Sequence, residues 1–205
     1  MPTRAEITEV APRTWFVKPG FVNVAVFETD EGLVMVDAGF AADSAAIHEA
    51  VRTVTSAPLQ TVVFTHGHID HAFGLKAFLD AGDRPRIVAH EHVAERFRRY
   101  ARTAGYNARI NATQFQLDPE AVRWPKEDGH FFWPDLTYHD ATVLTVGGEE
   151  FHLHHALGET DRQLLCTEQS PQPSQTSSLM NTRFCGSGNW PLRRRRRFSA
   201  AQVWS

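Results

Sequence analysis

With 205 residues and 42% apolar side chains, the chain has the length of one domain and enough material for a core. A net charge of −3 singles out no class of partner, and no run of about 18 apolar residues is available to span a membrane. Met1 to Val10 is polar and carries Glu6 and Glu9, unlike a secretory signal, so a soluble cytoplasmic protein is expected. Cys166 and Cys185, the only cysteines, provide neither a disulfide framework nor a thiolate metal cluster.

Taken in chain order, Thr14 to Lys18, Phe21 to Glu28 and Leu33 to Val36 are β-branched and aromatic runs. Gly20 and the Asp30-Glu31-Gly32 turn separate them, the pattern of a strand meander. Ala41 to about Thr53 is Ala-rich, with Asp43 and Ser44 near its start and Pro58 beyond its end, and is expected to be a helix. The apolar run Thr61 to Phe64 reads as a strand, Ala72 to Leu79 has helical spacing with Gly82 as its stop, Arg86 to Ala89 is a short strand and Glu91 to Ala101 an amphipathic helix. Residues 103 to 140 break this rhythm. Rich in Asn, Pro, Trp and Phe, they are expected to form a long loop that either walls an apolar pocket or packs as an ordinary excursion or oligomer contact. Thr142 to Val146 and Glu150 to His154 then form a hairpin around Gly147-Gly148. Strands alternating with helices suit a sandwich with helices outside its sheets.

The chemistry concentrates in Thr65-His66-Gly67-His68-Ile69-Asp70-His71, directly after a strand. Neutral imidazoles and carboxylates are the ligands that zinc and similar borderline metals take, and hydrolytic sites keep one position open for water. His66 and His68, two apart in extended chain, can face one metal, while Asp70 and His71 face a second where the chain turns. The spacing therefore suggests two adjacent metals. His48, His90, His92, His130 and His139 stand alone in the sequence and are expected to be ordinary hydrogen-bonded or exposed histidines, with His139 beside Asp140 a weak candidate for the pocket lining. His152 and His154 are expected to be strand residues.

His66-x-His68-x-Asp70-His71 resembles the hallmark of the metallo-β-lactamase superfamily, and Asp37-Ala38-Gly39 matches its short Asp-x-Gly turn. The resemblance covers roughly residues 14 to 161. It implies an α/β (α+β) fold, the αββα sandwich, incomplete here in its C-terminal half, and a site with two divalent metals, zinc first, with iron or manganese as alternatives. In most of that superfamily a Gly-His-Thr follows the later strand; here the sequence is Gly158-Glu159-Thr160. This is similar to the alkyl sulfatase branch, where carboxylates replace the imidazole. By that resemblance His66, His68 and Glu159 hold the first metal, with His155 the rival of Glu159, and Asp70 and His71 hold the second. Asp70 also aims a metal-held hydroxide at a small-molecule ester, a sulfate ester or another ester, as the catalytic residue. Asp37 is expected to orient a ligand rather than bind metal.

Beyond Asp161 the pattern stops. Residues 162 to 205 contain seven arginines, five of them consecutive from Arg193 to Arg197, against the single acid Glu168, and neither Asp nor His. The later Gly-Asp and His that the resemblance calls for are missing. Domain 1–161 is therefore expected to be followed by a low-complexity, disordered tail, truncated or out of frame relative to the family. Arg193 to Arg197 leaves nucleic acid as a weak possibility for a partner, and a homo-oligomer remains open. A catalytically inactive family member that binds metal weakly, and an iron-dependent redox or sulfur-transfer member, are the alternatives to a hydrolase.

Overall fold

A computed structural model describes residues 4–20, 22–118, 120, 122–156, 163–169 and 182–185. Its frame is a seven-stranded sheet in sequential order, β1 (Glu6–Ala11), β2 (Thr14–Lys18), β3 (Val24–Thr29), β4 (Gly32–Val36), β5 (Leu59–Phe64), β6 (Arg86–His90) and β7 (Leu136–Tyr138). The first four strands are joined by short turns and run antiparallel, whereas β4 to β7 are parallel because each connection carries helix back across the sheet. These crossovers hold α1 (Ser44–Arg52), α2 (Lys76–Asp80), and the pair α3 (Glu91–Arg102) and α4 (Ala104–Gln114).

A second sheet is ordered β11-β10-β9-β8, from β8 (Ala141–Val146), β9 (Glu149–Ala156), β10 (Gln163–Gln169) and β11 (Thr182–Cys185). The β8–β9 turn is the expected Gly147-Gly148, both with positive φ, 54° and 83°, as a tight hairpin demands.

Strand alternation divides the core in two. Leu33, Met35, Val62 and Phe64 point to the helices, where Ile47, Val51, Phe78, Val93 and Phe97 cover them. Val34, Val36, Val63 and Val88 point the other way and meet Leu144, Val146, Phe151 and Leu153 of the second sheet. The central strands are buried on both faces, which explains their nearly unbroken apolar runs. The layers are helix, sheet and sheet, the mixed α/β sandwich architecture that the sequence implied.

Three expectations need correction. Residues 103 to 140 are not one irregular loop, since α4 and β7 lie within them. Gly105, Tyr106, Asn107 and Asn111 are weak helix formers and give no apolar stripe, so α4 left no periodic trace. It is held instead by local bonds such as Asn107 Nδ2 to Thr103 Oγ1, 2.8 Å, and Asn111 Nδ2 to the Asn107 carbonyl, 2.9 Å. Second, Ala72 to Leu79 is helical only in α2, because the His71 carbonyl and the Phe73 amide bond to the segment after β4 and the Ala72 amide bonds to His68. Third, β1 was not anticipated, its residues having been read only as a polar start.

Within residues 103 to 140, Phe131 is 5% exposed and its ring lies 5.7 Å from Phe73 and 5.3 Å from Phe97. For that residue the packed reading holds.

Candidate metal centre

β4 and β5 end side by side, and the chain beyond each carries the site. Ligands of open α/β sheets collect at such carboxyl ends. The two segments are joined directly: the Ala38 amide donates to the His71 carbonyl, 2.6 Å, the Phe73 amide to the Gly39 carbonyl, 3.2 Å, and Gly39 bridges Ala72. Within the metal loop the His71 and Ala72 amides both donate to the His68 carbonyl at 3.1 Å, closing a turn that swings His71 back towards His66.

The result is a compact cluster. The His66 ring centre lies 4.5 Å from that of His68 and 4.2 Å from that of His71, and His71 Nε2 is 3.5 Å from Asp70 Oδ2. Burial pushes the pKa of His66 well down and that of His68 down to about 4, helped by the neighbouring imidazoles and by Arg96. Burial raises the Asp70 pKa, against the opposing pull of His71, and the charge of Asp37 adds to the rise. These imidazoles are accordingly neutral at ordinary pH, which is the form that binds a metal.

Counting protons fixes which nitrogen of each ring carries hydrogen. Asp37, 3% exposed, accepts from the Thr65 amide at 2.7 Å, from the Thr65 hydroxyl at 2.7 Å and from His71 Nδ1 at 2.7 Å. A hydroxyl has one proton, and that of Thr65 goes to Asp37. At 3.0 Å from His66 Nδ1 the Thr65 oxygen is therefore an acceptor, so His66 is protonated at Nδ1, as is His71. Neutral His66 is left with its lone pair on Nε2. His71 Nε2 stands 3.5 Å from Asp70 Oδ2, an approach that a proton or a metal ion between them stabilises.

The donor set therefore fits a divalent metal, although among the described residues no three such side chains are already posed as a complete cage. Of the residues singled out in the sequence, His66, His68, Asp70 and His71 are brought together. Glu159 lies outside the described residues, as do Arg193 to Arg197. The His155 ring stacks on His90, centres 4.4 Å apart, and its amide donates to the Asp140 carbonyl.

His90 is the centre of a group that sequence reasoning treated as singletons. It is 1% exposed and lies 4.8 Å from His92 and 6.1 Å from His139 between ring centres. His90 and His92 are two apart in the chain, whereas His139 and His155 join them only through the β6–β7 pairing and the approach of β9, so sequence spacing carried no signal for those two. Asp37 had a signal in its Asp-x-Gly turn, whereas Thr65 and Arg96 had none.

A sequence profile described as the metallo-beta-lactamase superfamily matches residues 17–159. The 2,4-dinitroanisole O-demethylase subunit alpha of Nocardioides sp. (strain JS1661) is 33% identical over 91 residues, 42% of this chain and 26% of that protein. A linear primary-alkylsulfatase of Pseudomonas sp. (strain ATCC 19151) is 38% identical over 55 residues, 26% of this chain and 10% of that protein. In three dimensions the chain resembles a HARLDQ-motif metallo-β-lactamase of Cronobacter sakazakii (Enterobacter sakazakii), with a TM-score of 0.62 at 17% identity over 82% of this chain and 60% of that one. The chain thus spans about a quarter and a tenth of the lengths of the two curated relatives. Among the described residues no helix is long and apolar enough to cross a membrane. With the matched span taking in β3 to β9, the crossovers and the histidine-rich loop, the chain belongs to the metallo-β-lactamase superfamily.

Proposed function

We propose that this protein is a metal-dependent hydrolase of ester-type substrates, with sulfate esters the first class to test. The observation that carries the reading is the gathering of four donors in a largely buried loop: the His68 and His71 ring centres lie 4.5 and 4.2 Å from that of His66, and Asp70 Oδ2 lies 3.5 Å from His71 Nε2. His66 and His68 would hold one divalent ion and Asp70 and His71 a second, zinc foremost, with iron or manganese open to the same donors. Such ions, when bound, acidify a water and polarise an ester oxygen.

The chain's own groups do the rest. Thr65 and Asp37 fix the rings of His66 and His71, so that no reorientation is needed when a substrate arrives. Asp70, with one-fifth of its side chain exposed, is the residue assigned to aim the attacking water. The sulfate preference rests on the likeness to a linear primary-alkylsulfatase and on the Gly158-Glu159-Thr160 sequence.

Asp70→Asn is expected to abolish turnover of a panel of aryl and alkyl sulfate and carboxylate esters while leaving the circular dichroism spectrum unchanged. Full activity in that variant would remove Asp70 from the chemistry.

A second reading, a non-catalytic member with weak metal affinity, has in its favour the absence, among the described residues, of a ready-made three-ligand cage. Elemental analysis of purified protein separates the two. About two metals per chain supports the hydrolase, whereas one or none together with an inactive ester panel supports the weak binder.

A further inference from the structure

Helix α3 lies directly on the metal loop. A Cβ placed on Gly67 would stand 3.2 Å from Arg96 Cδ, 3.4 Å from Arg96 Cβ and 3.4 Å from Val93 Cγ1. The stem of Arg96 therefore crosses the loop at its one residue without a side chain, between His66 and His68. From there its guanidinium carbon is 5.8 Å from the centre of the Tyr100 ring, and Tyr100 is 7% exposed. The Arg96 charge is felt at both His66 and His68, and the Asp70 charge is felt at Tyr100, which locates the pair beside the cluster rather than on a remote face of the helix.

Among the described residues Arg96 makes no ion pair, whereas Arg13 and Arg52 are matched by Asp30 and Asp83 at 2.9 and 2.7 Å. A guanidinium does not lose its proton. A permanent cation beside a set of cation ligands repels a metal ion, a bound anion relieves that repulsion, and the planar fork of the guanidinium is shaped for a two-oxygen acceptor.

We propose that Arg96 is a substrate-binding residue of this site, taking an anionic oxygen group, sulfate, phosphate or carboxylate, against the metal loop with Tyr100 beneath it. The site then selects anionic over neutral substrates. The word substrate rests on the hydrolase reading above, but binding of the oxyanion does not.

Titration calorimetry on the full chain in a chloride-free buffer, with sodium sulfate, phosphate and acetate as separate probes, tests this with and without added zinc. The wild type is expected to bind at least one of them. Arg96→Gln should weaken that binding about tenfold or more, as loss of a charge-assisted bond implies, and Arg96→Lys less so. Arg98→Gln, one residue pair along α3 and over Trp133 instead, should leave it unchanged. The three probes distinguish which oxyanion is preferred. No binding by the wild type, or equal binding by wild type and Arg96→Gln, overturns the proposal. Should Arg96→Gln fail to fold, Arg96→Lys decides: affinity equal to wild type for every probe overturns it as well. Anion binding that depends on Arg96 in a protein that hydrolyses no ester would sink the hydrolase reading and leave this one standing.

Discussion

Asp37 is the residue on which the geometry of the site turns. It occupies the left-handed region, φ 62°, and accepts from Thr65 twice over and from His71. Asn tolerates that backbone and keeps the shape, so Asp37→Asn isolates the charge. An amide has only one acceptor oxygen, and its NH2 would confront donors that now meet a carboxylate. His71 would lose the partner that keeps hydrogen on Nδ1 and the lone pair on Nε2. We expect zinc affinity to fall roughly 10–100-fold and the fold to lose about 1–3 kcal/mol. Competition against a chromophoric chelator reads the first and a denaturant titration the second. Unchanged zinc affinity would mean that Asp37 supports the backbone alone.

At the scale of elements, the site depends on how tightly the segment after β4 is laced to the metal loop. Gly74 is the closest point of approach. A Cβ there would run into the Ala38 carbonyl, and it would also stand 2.9 Å from the Phe40 carbonyl oxygen, both of them main chain that cannot rotate aside. Gly74→Ala must therefore part the two segments and with them the Ala38–His71 and Phe73–Gly39 bonds. The expected loss is about 2–4 kcal/mol, with weaker metal retention than wild type. A thermal unfolding curve and a metal assay on the same preparation check it, and wild-type behaviour in both would show that the loops are not rigidly joined.

The legible and illegible parts of the sequence divide along this same line. His66, His68, Asp70 and His71 were visible because four ligand-type residues lie within six positions, and the central strands were visible because burial on both faces writes a continuous apolar run. The Ala38–His71 and Phe73–Gly39 bonds that lace the two segments use main-chain groups, which every residue has, so nothing marked them. Arg96 reaches the loop only because α3 packs over Gly67, and His90 meets His155 only through the pairing of two sheets. Contacts made by tertiary approach leave no spacing to read. α4 was missed for a different reason, a composition whose weak propensity is overridden by local side-chain bonds.

For the molecule as a whole, the buried histidines set the response to acid. His48, His66, His68 and His90 are all held below the ordinary imidazole value, desolvation being the largest cause in each, and His68 falls to about 4. Imidazoles of the unfolded chain take up protons near pH 6.5, while these folded ones do so only at lower pH, so below pH 6.5 protons favour the unfolded state. The stability is thus complete above about pH 6.5 and is lost as pH falls towards 4, the folded value of His68. Asp70 and Asp43 oppose this, since burial raises their pKa values and the stability they add at low pH is lost as pH rises through those values. Their influence runs from the ordinary carboxylate range up to their raised values, so it subtracts from the imidazole slope wherever the two overlap. For the metal-free chain, His68 alone is expected to account for a loss on the order of 2 kcal/mol between pH 7.5 and pH 5. Zinc should add stability at pH 7.5 and much less at pH 5, because the metal and protons compete for the same lone pairs. Urea titrations in EDTA and in zinc at both pH values measure all four numbers. A metal-free midpoint that stays level or rises on acidification would mean that the histidine loop is open to water rather than sealed beneath α3.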